Sequence, residues 1–350
     1  MPKNEVSTVP IFKVKVNGIE LSADAMASIE SVMFEEELNT ASMFVLKLAT
    51  SDFKKGAWQY VDLKVFRLGG EVTLYMGMDN LVLMIVGEIT SLKPSFSEST
   101  STIEIRGYNR LHRLRFGLKR RTFMDTKDSD IASTIAGEWG LGAKSEDTVT
   151  VHSHVYQNNL SDLEFILQRA KRIRYEVFVD DKILHFQSPK ESESASMTLE
   201  YSVDLEEFSA ELSARYEGDE VVVQGWDFMN KKQISAMSKR GNRMSMMNAK
   251  DTGTNMTKSA FGTFSSYIVD EQLVDISDAE KLAVARYNSH LSGSVTGEGK
   301  CTGIPELRAG KTIEIKGIDR FSGTYYVTST FHVIDSSGYT TSFKVRRVGI

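Results

Sequence analysis

Histidine is the residue type in this sequence whose spacing comes nearest to a metal site. Of the six histidines, His152 and His154 are two residues apart, which places both side chains on one face of a strand. A zinc site needs three or four converging ligands, and the sequence offers neither a His-Glu-x-x-His pattern nor a cysteine partner. We therefore interpret the pair as a polar strand edge, and we predict no metal and no cofactor.

A short acidic segment resembles a calcium-binding loop only in composition. Asp125, Asp128 and Asp130 are closely spaced, but the central Gly and the terminal Glu of such a loop are missing. Apolar residues follow at helical spacing as far as Trp139, and Gly140 stands where a left-handed helix end is expected. The segment therefore predicts a helix that Asp128 caps at its N-terminus.

The sequence also lacks the patterns of common nucleotide-binding and hydrolytic sites. Neither glycine-rich phosphate-binding pattern occurs between a strand and a helix, and Gly297-Glu298-Gly299 is more typical of a bulge or turn. There is no Gly-x-Ser-x-Gly pattern, and Glu35-Glu36-Glu37 indicates a solvated charge run. Binding or assembly is therefore favoured over catalysis, and we predict that the chain is not an enzyme.

Length, charge and cysteine content narrow the class of protein further. A chain of 350 residues, 41% of them apolar, is long enough for two or three domains with cores of their own. The net charge of −5 argues against nucleic-acid specificity, and the single cysteine, Cys301, fits synthesis in a reducing cytosol. The longest apolar run, Leu81–Val86, is far shorter than a membrane-spanning helix, so we expect no stable membrane insertion.

One strand pattern occurs twice along the chain. Residues 102–109 and 220–227 both alternate apolar and polar positions and then continue with Gly, an aromatic residue and Asn or Asp. Such a pattern predicts a half-buried strand that enters a turn at the Gly. The residues that define it are Gly107, Tyr108, Gly225, Trp226 and Asp227.

A second correspondence relates the two ends of the chain. Residues 83–91 and 101–106 form a strand-turn-strand pattern that resembles residues 320–329 and 341–346. Another alternating run precedes each pattern, and its residues are 61–65 in one case and 312–316 in the other. These observations predict a duplicated β domain, although any two antiparallel meanders share such a pattern. The residues that mark this repeat are Gly87, Arg106, Gly323, Tyr325 and Arg346.

Two further sites predict helix starts through a capping box, in which a Ser side chain and a Glu three residues later satisfy free backbone N–H groups. Ser161 and Glu164 form one such pair, and Ser277 and Glu280 form the other. We therefore expect a β-rich α+β fold with two similar β-barrel domains. The predicted domains are 1–114, the first barrel; 115–197, an inserted small α/β domain; and 198–350, the second barrel, interrupted at about 238–292 by a loop and a helix.

The sequence resembles the phage late control D family along its whole length. The matching segments occur in the order expected for that family. They are Lys127–Ala132, Gly140-Leu141, Gln157–Ala170, Leu184–Phe186, Val223–Asp227 with Lys231-Lys232, Leu307–Gly310, Phe321–Val327 and Gly338–Thr341.

This resemblance implies a baseplate hub of a contractile injection system, such as a phage tail, a tailocin or the tube-like part of a type VI secretion spike. In that family three subunits with two barrels each form a ring of six barrels, which adapts a threefold spike to a sixfold inner tube. The implied partners are a homotrimer, an inner tube protein, other baseplate proteins and a spike. Many relatives continue into a needle beyond the second barrel, so we expect the spike to be a separate polypeptide.

Two other functions remain open from the sequence. One is a tail-associated cell-wall hydrolase, which requires a catalytic site that the sequence does not display. The other is a carbohydrate-binding β module or adhesin, which requires an exposed aromatic platform. For the hub, we expect synthesis in the bacterial cytoplasm and assembly into the baseplate of a virion or phage-tail-like particle.

Overall fold

The protein has a β-rich α+β fold organised around one large sheet. The computed structural model describes residues 9–52, 57–61, 63–97, 100–214, 218–227, 230–239, 245–269 and 272–350. Thirteen strands belong to the large sheet, and smaller sheets and helices lie beside it. The predicted fold class, with two similar barrel-type halves, is confirmed.

The elements follow one another in four groups. The first half contains β1 (Ile11–Val16), β2 (Ile19–Glu20), α1 (Ala23–Ala27), β3 (Ile29–Glu37), β4 (Met43–Ala49), β5 (Ser51–Asp52), β6 (Ala57–Trp58), β7 (Glu71–Gly77), β8 (Val82–Ser95) and β9 (Thr102–Asn109). The α/β segment contains β10 (Lys119–Thr126), α2 (Asp128–Glu138), β11 (Gly142–Ser145), β12 (His152–Leu160), α3 (Asp162–Ile173), β13 (Glu176–Asp180) and β14 (Ile183–Gln187).

The second half begins with β15 (Thr198–Glu200) and β16 (Leu205–Leu212) and is then interrupted. The interruption contains β17 (Glu220–Asp227), β18 (Lys232–Ser238), α4 (Gly253–Phe261), β19 (Ser265–Ile268) and α5 (Ile276–Leu291). The half then continues with β20 (Val295–Thr302), β21 (Thr312–Lys316), β22 (Gly323–Asp335) and β23 (Gly338–Arg347).

The large sheet passes through both halves without a break. Its order is β16-β20-β23-β22-β3-β4-β9-β8-β7-β1-β2, with β21 and β15 attached beside β22. The two halves meet where β22 pairs antiparallel with β3. Val32 and Phe34 occupy alternate positions of β3 and are fully buried. Because every second side chain of a strand lies on the same face, such residues form a core on one face of the sheet.

The interruption of the second half begins earlier than the sequence pattern predicts. β17, which has the repeated strand pattern, pairs with β18 and β19 in a separate three-stranded sheet that packs against α5. The prediction that it repeats β9 is therefore wrong. Alternating apolar and polar residues indicate a half-buried strand, but they do not indicate which sheet contains that strand. The segment 238–263, predicted as a loop, contains α4, while residues 240–244 lie outside the described residues.

A predicted helix cap is present only where a Ser and a Glu act together. The box is present at α3, where the Ser161 hydroxyl accepts from Glu164 N and the Glu164 side chain accepts from Ser161 N. At α5 the cap is Asp275, whose side chain accepts from Asp278 N, so the prediction of a box at Ser277 and Glu280 is wrong. Asp is as effective a cap as Ser, and it stands earlier in the chain.

The prediction of Asp128 as the cap of α2 is also wrong. Asp128 is the first helical residue, and the preceding Lys127 makes no side-chain cap bond. The Asp128 carboxylate instead accepts from Arg169 Nε at 2.5 Å. It is therefore engaged with another helix, and the left-handed Gly140 follows the C-terminal end of α2 as predicted.

These caps give a prediction about helix stability. We expect Ser161→Ala and Asp275→Ala each to lower the free energy of unfolding by about 1 kcal/mol, because each leaves a backbone N–H without its acceptor. Ser277→Ala is the matched control and should change it by less than about 0.5 kcal/mol, since that hydroxyl is exposed and does not cap the helix. Urea unfolding measures all three, and equal losses for Ser277 and Asp275 would contradict the assignment.

Candidate functional site

The predicted histidine pair does not form a ligand pair. His152 is buried and lies 3.5 Å from the Asp128 carboxylate and 3.0 Å from Arg169 Nη2, whereas His154 is exposed. Burial alone raises the pKa of Asp128, but the hydrogen bond to His152 and the charge of Arg169 lower it below its usual value. Within the described ranges, no group of three or more His, Cys, Asp or Glu side chains could hold a metal ion.

The register of the strands shows that the two halves of the large sheet repeat one another. In the β8-β9 pair the register shifts between Ile89 and Ser91, and in the β22-β23 pair it shifts between Val327 and Ser329. The residue displaced at each shift is a threonine, Thr90 or Thr328. Each threonine hydroxyl donates to a carbonyl of the partner strand, at 3.4 and 3.2 Å respectively. The predicted correspondence of these two hairpins therefore extends to individual residues.

A second bulge repeats in the same way. The β3-β4 register shifts at Glu30, and the β16-β20 register shifts at Glu206. Each glutamate lies near a lysine of the partner strand, Lys47 at 2.9 Å and Lys300 at 3.9 Å. Together the two bulges match β3-β4-β9-β8 with β16-β20-β23-β22 in the same order.

The repeat also includes the loop that precedes β7 and β21. Gly69 and Gly310 have φ values of 77° and 78°, and their N–H groups donate to Ile89 O and Val327 O at 2.8 and 2.9 Å. The counterpart of β21 is thus β7, and the prediction that assigned this place to residues 61–65 is wrong. The sequence signal that finds the correct pairing is Arg-x-Gly, which occurs at residues 67–69 and 308–310.

A charged contact fixes the junction between the halves. Arg308 donates from Nε and Nη2 to the two carboxylate oxygens of Glu36 at 2.8 and 2.9 Å, and its guanidinium lies 4.9 Å from the ring centroid of Phe34. A bidentate Arg–carboxylate pair fixes orientation as well as distance. Arg308 also donates to the carbonyls of Leu83 and Met84, so one side chain joins the second half to both β3 and β8.

The glycines of the repeated strand pattern permit close packing and do not form turns. Gly107 lies inside β9, where an added Cβ would be 2.4 Å from Glu88 O and from the Phe44 ring. At Gly87 an added Cβ would be 3.0 Å from the same Phe44 ring and 2.8 Å from Tyr108 O. Gly225 approaches the side chain of Leu273 in the interruption, so a substitution there probes that segment and not the barrel-type half.

The other predicted residues lie in different surroundings. By register, Arg106 matches Lys344, while Arg346 matches Tyr108, so the predicted match of the two arginines is wrong by two positions.

Tyr325 is fully buried, whereas Trp226 is 52% exposed. Gly323 packs against Arg347, and Asp227 accepts from Asn230 in the turn after β17.

Arg346 instead joins the second half to the α/β segment. It lies 3.4 Å from the Glu176 carboxylate and 3.0 Å from the Glu191 carboxylate. Tyr326 donates to Glu176 at 2.7 Å, and Arg174 donates to Glu191 at 2.6 Å. Burial raises the pKa of Glu176 despite these donors. The arrangement is a buried polar contact between segments, and such contacts position elements precisely only while every member has its partner.

None of the described helices is both long and apolar enough to cross a membrane.

Three comparisons place the chain among known proteins. A family model described as the Alg8 N-terminal domain matches residues 6–336. None of the curated proteins compared with the chain matches it. The matching family model is therefore different from the late control D family that the sequence resembles.

Solved structures share the fold at low sequence identity. A 43 kDa tail protein of prophage MuSo2 from Shewanella oneidensis is 16% identical, with a TM-score of 0.72 over 97% of this chain and 98% of that chain. A tail protein from Neisseria meningitidis is 11% identical, with a TM-score of 0.70 and 97% of each chain covered. The Escherichia coli c3393 protein, a component of the type VI secretion system, is 15% identical, with a TM-score of 0.61 over 96% of this chain and 76% of that chain.

Proposed function

We propose, from the fold that the chain shares with phage tail proteins, that it is a structural hub of a contractile injection system. By its family model the chain belongs to the Alg8 N-terminal domain family. In the role of a hub, a homotrimer of the chain joins a spike to the inner tube and initiates tube assembly. The observation that carries the proposal is the residue-level repeat of the two halves within one sheet.

The repeat gives a physical reason for such an adaptor. Each chain supplies two equivalent barrel-type halves, so three chains supply six similar surfaces. A threefold object with six similar surfaces matches a sixfold tube on one side and a threefold spike on the other. The proposed partners are accordingly a spike protein, the inner tube protein and other baseplate proteins, met after synthesis in the bacterial cytoplasm.

The proposed role is structural and not enzymatic. Its support is that charged side chains are used to join segments of the chain. Arg308 pairs with Glu36, and Arg346 pairs with Glu176 and Glu191. Clearing of peptidoglycan by the purified full-length chain would favour the hydrolase alternative and contradict this part of the proposal.

The native mass tests the proposal directly. We expect the chain, purified with the tube and spike proteins of the same particle, to have a stoichiometry of three copies per spike, each copy contributing 39.2 kDa. Light scattering measures that mass, and electron microscopy shows whether tubes start on the complex. A chain that stays monomeric in the presence of both partners would overturn the hub assignment.

A further inference from the structure

The junction between the two halves has a counterpart that the chain leaves open. Within the chain, residues 329–334 of β22 pair with residues 32–37 of β3. The repeat matches β22 with β8 and β3 with β16. The equivalent junction would therefore join distal β8, which is residues 91–95, to β16. These two strands do not pair with each other: β8 pairs with β7 and β9, and β16 pairs with β20.

Each of the two strands has a free edge at the matching place. Beyond Glu88, β8 no longer pairs with β7, so the side of residues 91–95 that faces away from β9 has no partner strand among the described residues. β16 is the terminal strand of the large sheet; Leu205, its first residue, forms an isolated bridge with Tyr201, and residues 207–212 have no partner strand on the side opposite β20 among the described residues. An unpaired edge presents N–H and C=O groups that another strand can use.

Burial distinguishes the closed junction from the open one. In the closed junction, Phe34 and His332 face each other in the register and are fully buried, and burial lowers the pKa of His332 to about 3. In the open counterpart Leu212 is 39% exposed and Phe96, just beyond β8, is 54% exposed. Phe96 corresponds to Ile334, which is only 6% exposed, so the open counterpart leaves an apolar side chain uncovered at a place where the closed junction covers one.

We propose that the free edge of β16 in one copy pairs antiparallel with the free edge of distal β8 in a second copy, in the register of the internal β22-β3 junction. This inference deepens the proposed function, on whose homotrimer it rests, by naming the strands that meet. Transferring the internal register through the bulges at Thr90 and Glu206 gives the pairs between copies. They are Ser91 with Ser213, Leu92 with Leu212, Lys93 with Glu211, Pro94 with Ala210, Ser95 with Ser209 and Phe96 with Phe208.

The transferred register brings complementary residues together, although it was fixed by backbone geometry alone. Lys93 lies opposite Glu211, and Leu92 lies opposite Leu212. Opposite charges and apolar pairs are cross-strand neighbours that stabilise a sheet. A slip of one residue would place Lys93 opposite Leu212 or Ala210 and would remove the charge pair.

The open junction also differs from the closed one in two respects. Pro94 has no N–H, so this edge offers one donor fewer than the equivalent part of β22. Leu212 stands where the closed junction has Glu36, so Arg67, the counterpart of Arg308, does not meet an equivalent carboxylate there. The contact between copies is therefore weaker than the internal one and is the step at which the ring assembles.

The proposed contact uses two different edges and therefore joins copies head to tail. Each copy has one β16 edge and one β8 edge, and such heterologous contacts form a ring when the rotation closes. A ring of three copies contains the internal junction three times and the contact between copies three times, which gives six junctions of one kind.

Cysteine cross-linking of the full-length chain tests the register. Two double variants, Leu92→Cys with Leu212→Cys and Lys93→Cys with Glu211→Cys, place thiols at successive pairs. Successive antiparallel pairs alternate between wide and narrow spacing, so one of the two has the separation that a disulfide needs. Burial raises the pKa of Cys301 to about 12, so the native thiol does not compete at pH 8.

After mild oxidation we expect at least one double variant to form covalent dimers and trimers on a non-reducing gel, in more than half of the chains, and to lose them on reduction. Each single-cysteine variant should stay monomeric on the gel, because the contact joins two different edges. The out-of-register variant, Leu92→Cys with Ala210→Cys, should give at least five-fold less product. All these positions lie at the free edges, and circular dichroism verifies that the variants fold.

The outcomes separate the two proposals. A native trimer in which neither in-register variant cross-links, or in which the out-of-register variant cross-links equally well, overturns the strand pairing and leaves the hub proposal standing. Cross-links in register without a native trimer support the pairing and contradict the threefold hub. Absence of both overturns both.

Discussion

Replacing Gly107 by Ala is expected to lower the free energy of unfolding by about 3 kcal/mol or more. The added Cβ would lie 2.4 Å from Glu88 O in the neighbouring strand and equally close to the ring of Phe44. Phe44 is fully buried, and backbone oxygen cannot move without displacing β8, so neither neighbour can yield cheaply. The change adds one methyl group, and its cost comes from overpacking a sheet that has no space.

Gly137→Ala is the matched control for this prediction. No atom lies within 4 Å of a Cβ added at Gly137, the penultimate residue of α2. Alanine should therefore raise the free energy of unfolding by up to about 1 kcal/mol through its helix propensity. Urea unfolding of both variants gives the comparison, and a Gly107→Ala protein as stable as the unchanged chain would show that β8 and β9 are not packed as described.

The sequence predicted local features of the fold more successfully than the assignment of strands to sheets. The hairpins that contain Thr90 and Thr328 were recognised because alternation and turns are encoded within about twenty residues. β17 shows an equally good alternation, yet it belongs to another sheet, because pairing depends on distant partners. The helix cap at Asp275 was missed for a different reason. Several side chains near a helix start can accept a hydrogen bond from the same backbone N–H, and the backbone conformation determines which of them does so.

The contacts that join the halves were not predicted. Arg308 and Glu36 are separated by 272 residues, so no local pattern links them. The repeated Arg-x-Gly pattern was visible in the sequence, but nothing there shows that one arginine, Arg308, has a carboxylate within reach while the other, Arg67, lies at an open edge. The repeat could thus be inferred from sequence, whereas the difference between its closed and open junctions could not.

A buried ion pair between α3 and α5 leads to the second large expected effect. Arg172 donates to Asp278 from Nη1 at 2.8 Å and from Nη2 at 2.5 Å, and the two side chains are only 4% and 1% exposed. Arg172 also donates to Gln272 O, and Asp278 also accepts from Val274 N. The pair therefore attaches the α/β segment to the interruption of the second half and orders the start of α5.

Arg172→Met should lower the free energy of unfolding by about 3–5 kcal/mol, because it leaves the Asp278 carboxylate buried without its cation. The double variant with Asp278→Leu should be less destabilised than Arg172→Met alone, since removing both charges removes the uncompensated one. Lys344→Met, which breaks an exposed pair with Glu298, is the control and should cost no more than about 1 kcal/mol. Urea unfolding of the unchanged chain and of these three variants measures the free energies to be compared. If the single and double variants were equally unstable, the loss would come from packing around the Arg172 side chain and not from an uncompensated charge, and the ion pair would not be what joins the two segments.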